Sequence, residues 1–205
     1  MQEDYVIFDA DAEKKAVIAS SLGFSRLNLV VERKDLDQAK AFMDGAKENG
    51  VELKVCLLSK NKKDTAFARS KGMESIYLYD GTKDVREIIT GVSPDILACV
   101  EHQQRDFIHH RASGLNQVSA KLLKENGIAL GLSLGFLTGS RHKALVMGRM
   151  QQNVSLAKKY GFQLKIFSMA RSWSMMSAPK DMLSLLYVMG ADQKIAKKSL
   201  EPLQS

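Results

Sequence analysis

Six side chains carry the ingredients of a divalent-metal site: Asp9, Asp11, Glu101, His102, His109 and His110. Carboxylates and imidazoles at the strand ends of α/β barrels hold ions that activate water for hydrolysis. Here the set is thin. The chain has four histidines, and neither a His-x-His pair nor an HExxH helix occurs. His109 and His110 are adjacent, so on a strand they would point to opposite faces and could not easily share one ion. They read instead as polar loop residues, and no metal or other cofactor is expected on the chain. Nucleotide-phosphate loops of the GxxxxGK[ST] or GxGxxG type are absent. Gly131-Leu-Ser-Leu-Gly135 has the letters of a nucleophile elbow. A nucleophile needs a sharp turn and acid and base partners within reach. Apolar neighbours on both sides make Ser133 a strand residue instead, and no catalytic residue is assigned.

The cations carry a stronger signal. Arg141 and Lys143 flank His142 at the start of a long helical stretch, Arg149 follows two turns on, and Lys158 and Lys159 stand near its carboxyl end. A helix dipole favours positive charge at the carboxyl end, which accounts for the lysine pair locally. It opposes Arg141 and Lys143 at the amino end, so an anionic partner is the better reason for them. Backbone N–H groups there also suit a phosphate. Arg171 and Lys180 bracket the next loop, where a guanidinium can hold a phosphate through two donors.

The net charge of +7 is unevenly placed. Residues 1–125 carry 19 basic and 20 acidic side chains, residues 181–205 three of each, and residues 126–180 eight basic and none acidic. A field of one sign over one span attracts a polyanion and speeds its encounter. The bland alternative is a solubilising surface.

The elements that must position these groups alternate. Strand-like stretches are expected at residues 5–8, 27–31, 51–58, 76–79, 96–100, 128–134 and 164–167, with a brief candidate at 107–110. Helical patterns fall at 12–21, 35–49, 62–70, 83–90, 116–125, 141–160 and 179–189, and a short one at 192–201. Such repetition argues for parallel strands joined by crossover helices. Eight strands favour closure into a compact, irregular TIM-like (β/α) barrel over an open doubly wound sheet, although barrels usually need about 250 residues. Residues 1–205 read as one domain. In either fold the site lies beyond the carboxyl ends of the strands. Cys56 and Cys99 sit in apolar stretches and read as buried thiols of a reducing cytoplasm. No apolar run reaches the roughly 18 residues of a membrane span, and the first residues lack a secretory pattern.

Four fragments together resemble one family. Ser113-Gly114-Leu115-Asn116, continuing through Val118, Ala120, Lys121 and Leu122 to Asn126, is similar to an S-G-L-N-x-V-x-A-K-L segment. Arg149, Asn153, Leu156, Ala157 and Tyr160 match an R-x-x-x-N-x-x-L-A-x-K-Y helix. Phe167-Ser168-Met169-Ala170 resembles an S-S-G-A strand end, and Ala178-Pro179-Lys180-Asp181 an S-P-R-D helix start. These belong to ribonuclease P protein component 3 of archaea and its eukaryotic counterpart. The resemblance covers roughly residues 107–190. It implies a TIM-like barrel related to PHP phosphoesterases and a non-catalytic subunit of the ribonucleoprotein that removes the 5′ leader of precursor tRNA. The RNA would perform the Mg²⁺-dependent cleavage. The implied partners are that RNA and a smaller (Pop5-like) protein subunit. Arg141, Arg149, Lys158 and Arg171 are then expected to contact phosphates, with Lys180 adding charge and Arg105, His109 and Arg111 extending the surface. The sequence departs from the family where His109-His110 replaces His-Pro, Met169 replaces glycine and Lys180 replaces arginine. The alternative is a PHP-like metal-dependent phosphoesterase working alone.

Overall fold

The computed structural model describes residues 1–46, 50–101, 106, 108 and 112–203. Seven parallel strands are hydrogen-bonded in sequence order: β1 (Glu3–Ile7), β2 (Arg26–Val31), β3 (Glu52–Leu58), β4 (Glu74–Leu78), β5 (Ile96–Ala98), β6 (Ala129–Ser133) and β7 (Leu164–Phe167). The helices α1 (Ala12–Leu22), α2 (Leu36–Gly45), α3 (Lys62–Ser70), α4 (Val85–Glu87), α5 (Gln117–Glu125), α6 (Leu134–Gly139) and α7 (Lys143–Tyr160) connect them. A π turn at Ile88–Val92 extends α4, and α8 (Pro179–Val188) and α9 (Gln193–Ser199) follow β7.

The sheet rolls nearly shut. Val6 forms an isolated parallel bridge with Ala170; the Ile7 N–H donates to the Ala170 carbonyl at 3.0 Å and the Met169 N–H to the Tyr5 carbonyl at 2.8 Å. Below that bridge, the Glu3 N–H donates to the Leu200 carbonyl at 2.8 Å, so the segment after α9 covers the lower edge of β1. The expected barrel is therefore present, with seven strands among the described residues where eight were expected. Of the brief candidate at 107–110, residues 107, 109 and 110 lie outside the described residues, and Ile108 is a bend that is 94% exposed.

Two apolar layers follow from strand alternation. Side chains facing outward, such as Val6, Leu27, Leu29, Leu97, Leu130 and Ile166, form one core with the helices. Those facing inward fill the barrel: Tyr5, Val30, Cys56, Ile76, Ile96, Ala98, Ala129 and Phe167. Both cysteines are buried and free, and burial pushes both thiols well above their usual pKa. No helix among the described residues is long and apolar enough to cross a membrane.

The lower barrel interior is polar. Glu3 and Lys165 pair at 2.6 Å with both side chains fully buried. Lys165 also donates to the Glu201 carbonyl, Arg26 reaches Glu3 at 3.4 Å, and the Tyr5 hydroxyl donates to Glu74 at 2.5 Å with a Glu3 oxygen 3.0 Å away. Next along β1, the Asp4 carboxylate accepts from the Ser168 N–H at 2.7 Å and the Ser168 hydroxyl at 2.6 Å. Burial nevertheless lifts the Asp4 pKa to about 6. The expectation that the first strand starts at Tyr5 is thus corrected. Glu3 and Asp4 look like a solvated flank, yet each ties β1 to β7.

Removing one member of a buried ion pair strands the other and costs about 3–5 kcal/mol, whereas replacing both is much milder. Lys165→Met is expected to lower unfolding free energy in urea by about that amount, and Glu3→Gln/Lys165→Met to recover most of it. Equal losses in the single and double variants would refute the pairing.

Candidate nucleic-acid interface

The barrel fold directs attention to the connections leaving the carboxyl ends of the strands. At β6 the chain passes straight into α6, a helix not anticipated from the sequence. Ser133 is the last strand residue and is buried; its hydroxyl accepts from the Phe136 N–H at 3.3 Å. The glycines around it serve packing. A Cβ on Gly131 would lie 2.6 Å from the Phe167 ring, and one on Gly135 would lie 2.6 Å from the Ser168 carbonyl oxygen. Ser133 is a strand residue as expected, but the sharp strand-to-helix turn of an elbow is also present; what sets it apart from a nucleophile is that Ser133 is fully buried and its hydroxyl caps α6.

After α6, the Ser140 hydroxyl accepts from the His142 N–H at 3.1 Å and turns the chain into α7. Arg141, His142 and Lys143 are exposed on this turn. The neighbouring strand β7 leads to exposed Arg171, a 3-10 turn at Trp173–Met175, and α8 with Pro179 in its first turn and Lys180 exposed beside it. Arg141, Lys143, Arg171 and Lys180 thus lie on two connections that leave adjacent strands at one end of the barrel. Among the described residues none of the four makes an ion pair. Charges beyond β1–β4 differ: Asp9 pairs with Lys15, Asp11 with Lys14, Glu32 with Lys34 and Lys60, and Asp84 with Arg86. The β1–β4 side of this end therefore mixes both signs, several of its charges paired and others, such as Arg33, Lys62, Lys63 and Lys83, exposed without an ion pair among the described residues, whereas residues 134–180 beyond β6 and β7 carry basic side chains and no acidic one.

Two expected RNA contacts stand elsewhere. Arg149 is 3% exposed: its Nε donates to Asp106 at 2.9 Å and its Nη1 to the Glu101 carbonyl at 2.9 Å. This is a correction, because a guanidinium committed inside the fold is not presented to a phosphate. Four residues on, Asn153 Nδ2 donates to the Ser113 carbonyl at 3.1 Å. Arg149 and Asn153 together fasten the connection after β5 to α7. The sequence held a signal for this role: both polar residues fall within the buried stripe of Val146, Met150, Val154 and Ala157. Lys158 is exposed, but α7 has returned by then to the amino end of the barrel, where its ammonium donates to the Gly190 carbonyl at 3.0 Å. Lys165 of the same basic span is buried with Glu3. Arg105, His109 and Arg111 lie outside the described residues, as do His102 and His110.

The S-G-L-N segment is scaffold. Ser113 offers its carbonyl to Asn153, Leu115 is buried, and Asn116 caps α5 in a reciprocal box with Ser119. At Gly114, φ is +88°, and a Cβ would lie 2.4 Å from the Val100 carbonyl oxygen, so only glycine fits.

The upper interior of the barrel is lined by Ile7, Leu58, Leu78, Ala98, Phe136 and Met169, side chains that do not ligate hard metal ions. Asp9 is held by Lys15, and Glu101 is buried, its carboxyl raised to about 7 chiefly by desolvation. Among the described residues no group of three or more His, Cys, Asp or Glu side chains is placed to hold an ion.

No family model matches the chain. In sequence it is similar to archaeal ribonuclease P protein component 3. The protein of that name from Methanosarcina acetivorans is 28% identical over 198 residues, covering 94% of this chain and 80% of the relative. The Methanosarcina mazei protein is 33% identical over 109 residues, 50% of this chain and 46% of the relative. A chain of an archaeal ribonuclease P solved with mature tRNA superposes with a TM-score of 0.74 at 18% identity, covering 97% of this chain and 86% of that one. A histidinol phosphate phosphatase from Lactococcus lactis, solved with zinc, L-histidinol and phosphate, reaches 0.54 at 12% identity over 93% and 94% of the two chains. At these identities the structural likenesses establish a shared barrel.

The Glu101 carboxyl titrates near 4.5 when unfolded and about 7 when folded. Between those values the folded chain keeps a proton that the unfolded chain has lost, so its contribution to stability falls as pH rises through that window. Glu101→Gln is expected to change urea stability little at pH 4.5 and to raise it at pH 8, by up to about 3 kcal/mol. The same increment at both pH values would show that Glu101 is ionised throughout.

Proposed function

We propose that this chain is a member of the component 3 family, a non-catalytic protein subunit of ribonuclease P. It binds the RNA that cleaves the 5′ leader from precursor tRNA. The observation that carries the reading is the set of unpaired, exposed cations Arg141, Lys143, Arg171 and Lys180 beyond β6 and β7, on a barrel whose sequence relatives are component 3 proteins. Such a surface engages phosphates without reading bases, which suits a protein that steadies a folded RNA. Lys180 attracts a phosphate by charge, whereas Arg171 can hold one through two parallel donors. The chemistry, with its Mg²⁺, resides in the RNA, and a smaller protein subunit is the second partner. The phosphoesterase alternative gains no support from the apolar upper interior or from the pairing of Asp9 with Lys15.

Affinity for ribonuclease P RNA is expected to fall steeply with KCl. Filter binding should show Arg171→Ala weakening it and reducing the log–log salt slope by about one, while Lys158→Ala at the opposite end leaves the slope unchanged. An unaltered slope in Arg171→Ala, or an equal reduction in both variants, would remove the assignment of the interface to this end. Hydrolysis of a model phosphodiester by the purified chain with Mn²⁺ or Zn²⁺, and no RNA, would restore the alternative.

A further inference from the structure

The chain has one tryptophan, and it lies on the connection after β7 that also carries Arg171. Trp173 opens the 3-10 turn two residues after Arg171 and is 44% exposed. Among the described residues its indole N–H makes no hydrogen bond and its ring meets no other ring or cation. The ring walls one side of a shallow, almost wholly apolar depression. The other wall is α1, through Val17, Ile18 and the stems of Glu13 and Lys14. Val17 and Met175 are also exposed. Leaving a large indole half in water forgoes much of its burial energy, and the tight turn holds it in place, with the Ser172 and Ser174 hydroxyls 3.2 Å apart.

We infer that Trp173 is a stacking platform for an unpaired nucleobase of the bound RNA. Its flanking phosphate would be taken by Arg171. The inference rests on the RNA-binding reading above and deepens it. A base is flat and apolar on both faces and is tethered to a negative charge, and the site offers an aromatic face and an apolar slot, with the exposed, unpaired Arg171 two residues before the tryptophan in the chain. Lys14 lines the slot but is shared with Asp11 at 3.4 Å, and the Glu13 carboxylate repels phosphate. The backbone therefore enters from the Arg171 side. A protein partner fits less well. Standard interfaces use about 20–30 residues a side, whereas the apolar exposure here amounts to Val17, Trp173 and Met175.

Because the tryptophan is unique, its emission reports on the site directly. A short single-stranded oligoadenylate, added to the full chain at low salt, is expected to quench Trp173 fluorescence and shield it from acrylamide. A duplex RNA of equal charge should bind without quenching. Trp173→Ala should weaken oligoadenylate binding, followed by anisotropy of a labelled probe, about tenfold. Trp173→Phe keeps an aromatic face and should retain most of the affinity. Oligoadenylate that binds in a salt-dependent way, yet leaves Trp173 emission and acrylamide access unchanged, would overturn the platform while leaving the RNA interface standing. No binding of any RNA would overturn both. Emission that shifts with protein concentration alone would assign the patch to a second copy of the chain and overturn the platform.

Discussion

A parallel barrel must close its first strand onto its last, and here the closure is made by charged groups inside an apolar wall. Glu3 and Lys165 meet at 2.6 Å with no solvent, and Asp4 grips both donors of Ser168. Desolvating such groups is costly, so they hold only if each finds its partner. That requirement fixes the register of β1 against β7, since a one-residue slip would send Glu3 and Asp4 to the wrong faces. It also recruits the segment after α9, whose Leu200 and Glu201 carbonyls take the Glu3 N–H and the Lys165 ammonium. Seven strands then suffice, because part of the gap is bridged by side chains and by this segment.

The closed barrel places the connections after β6 and β7 side by side. Arg141, Lys143, Arg171 and Lys180 are thereby carried at one end of the barrel although they span forty residues of sequence. The two connections between residues 134 and 180 hold no carboxylate, whereas the connections after β1–β4 mix both signs. A lopsided surface field thus arises from the absence of carboxylates on one side as well as from the number of cations.

The fragments that resemble the component 3 family prove to be largely architectural. Gly114 admits the close approach of Val100, Asn116 caps a helix, and Arg149 with Asn153 anchors the connection after β5. Met169 stands where the family pattern has glycine, and its φ of +46° is the backbone state that glycine adopts without strain. The seam holds Met169 in that state, its N–H bonded to the Tyr5 carbonyl across the closure.

The alternation of strands and helices was legible in the sequence because local hydrophobic periodicity encodes it. The parallel arrangement and the placement of sites at strand ends follow from that periodicity. So did the helix stop after Tyr160, the opening of α8 at Pro179 and the strand character of Ser133, each set by short-range sterics. Side-chain fate was not legible. Arg149 and Arg171 are the same residue type in the same basic span, yet one is locked on Asp106, forty-three residues away, and the other faces water. Nothing local in the sequence marks Glu3 and Lys165 as partners, and the barrel brings them together across 162 residues. Burial of a charge depends on a partner distant in sequence, and only the closed tertiary structure supplies that partner.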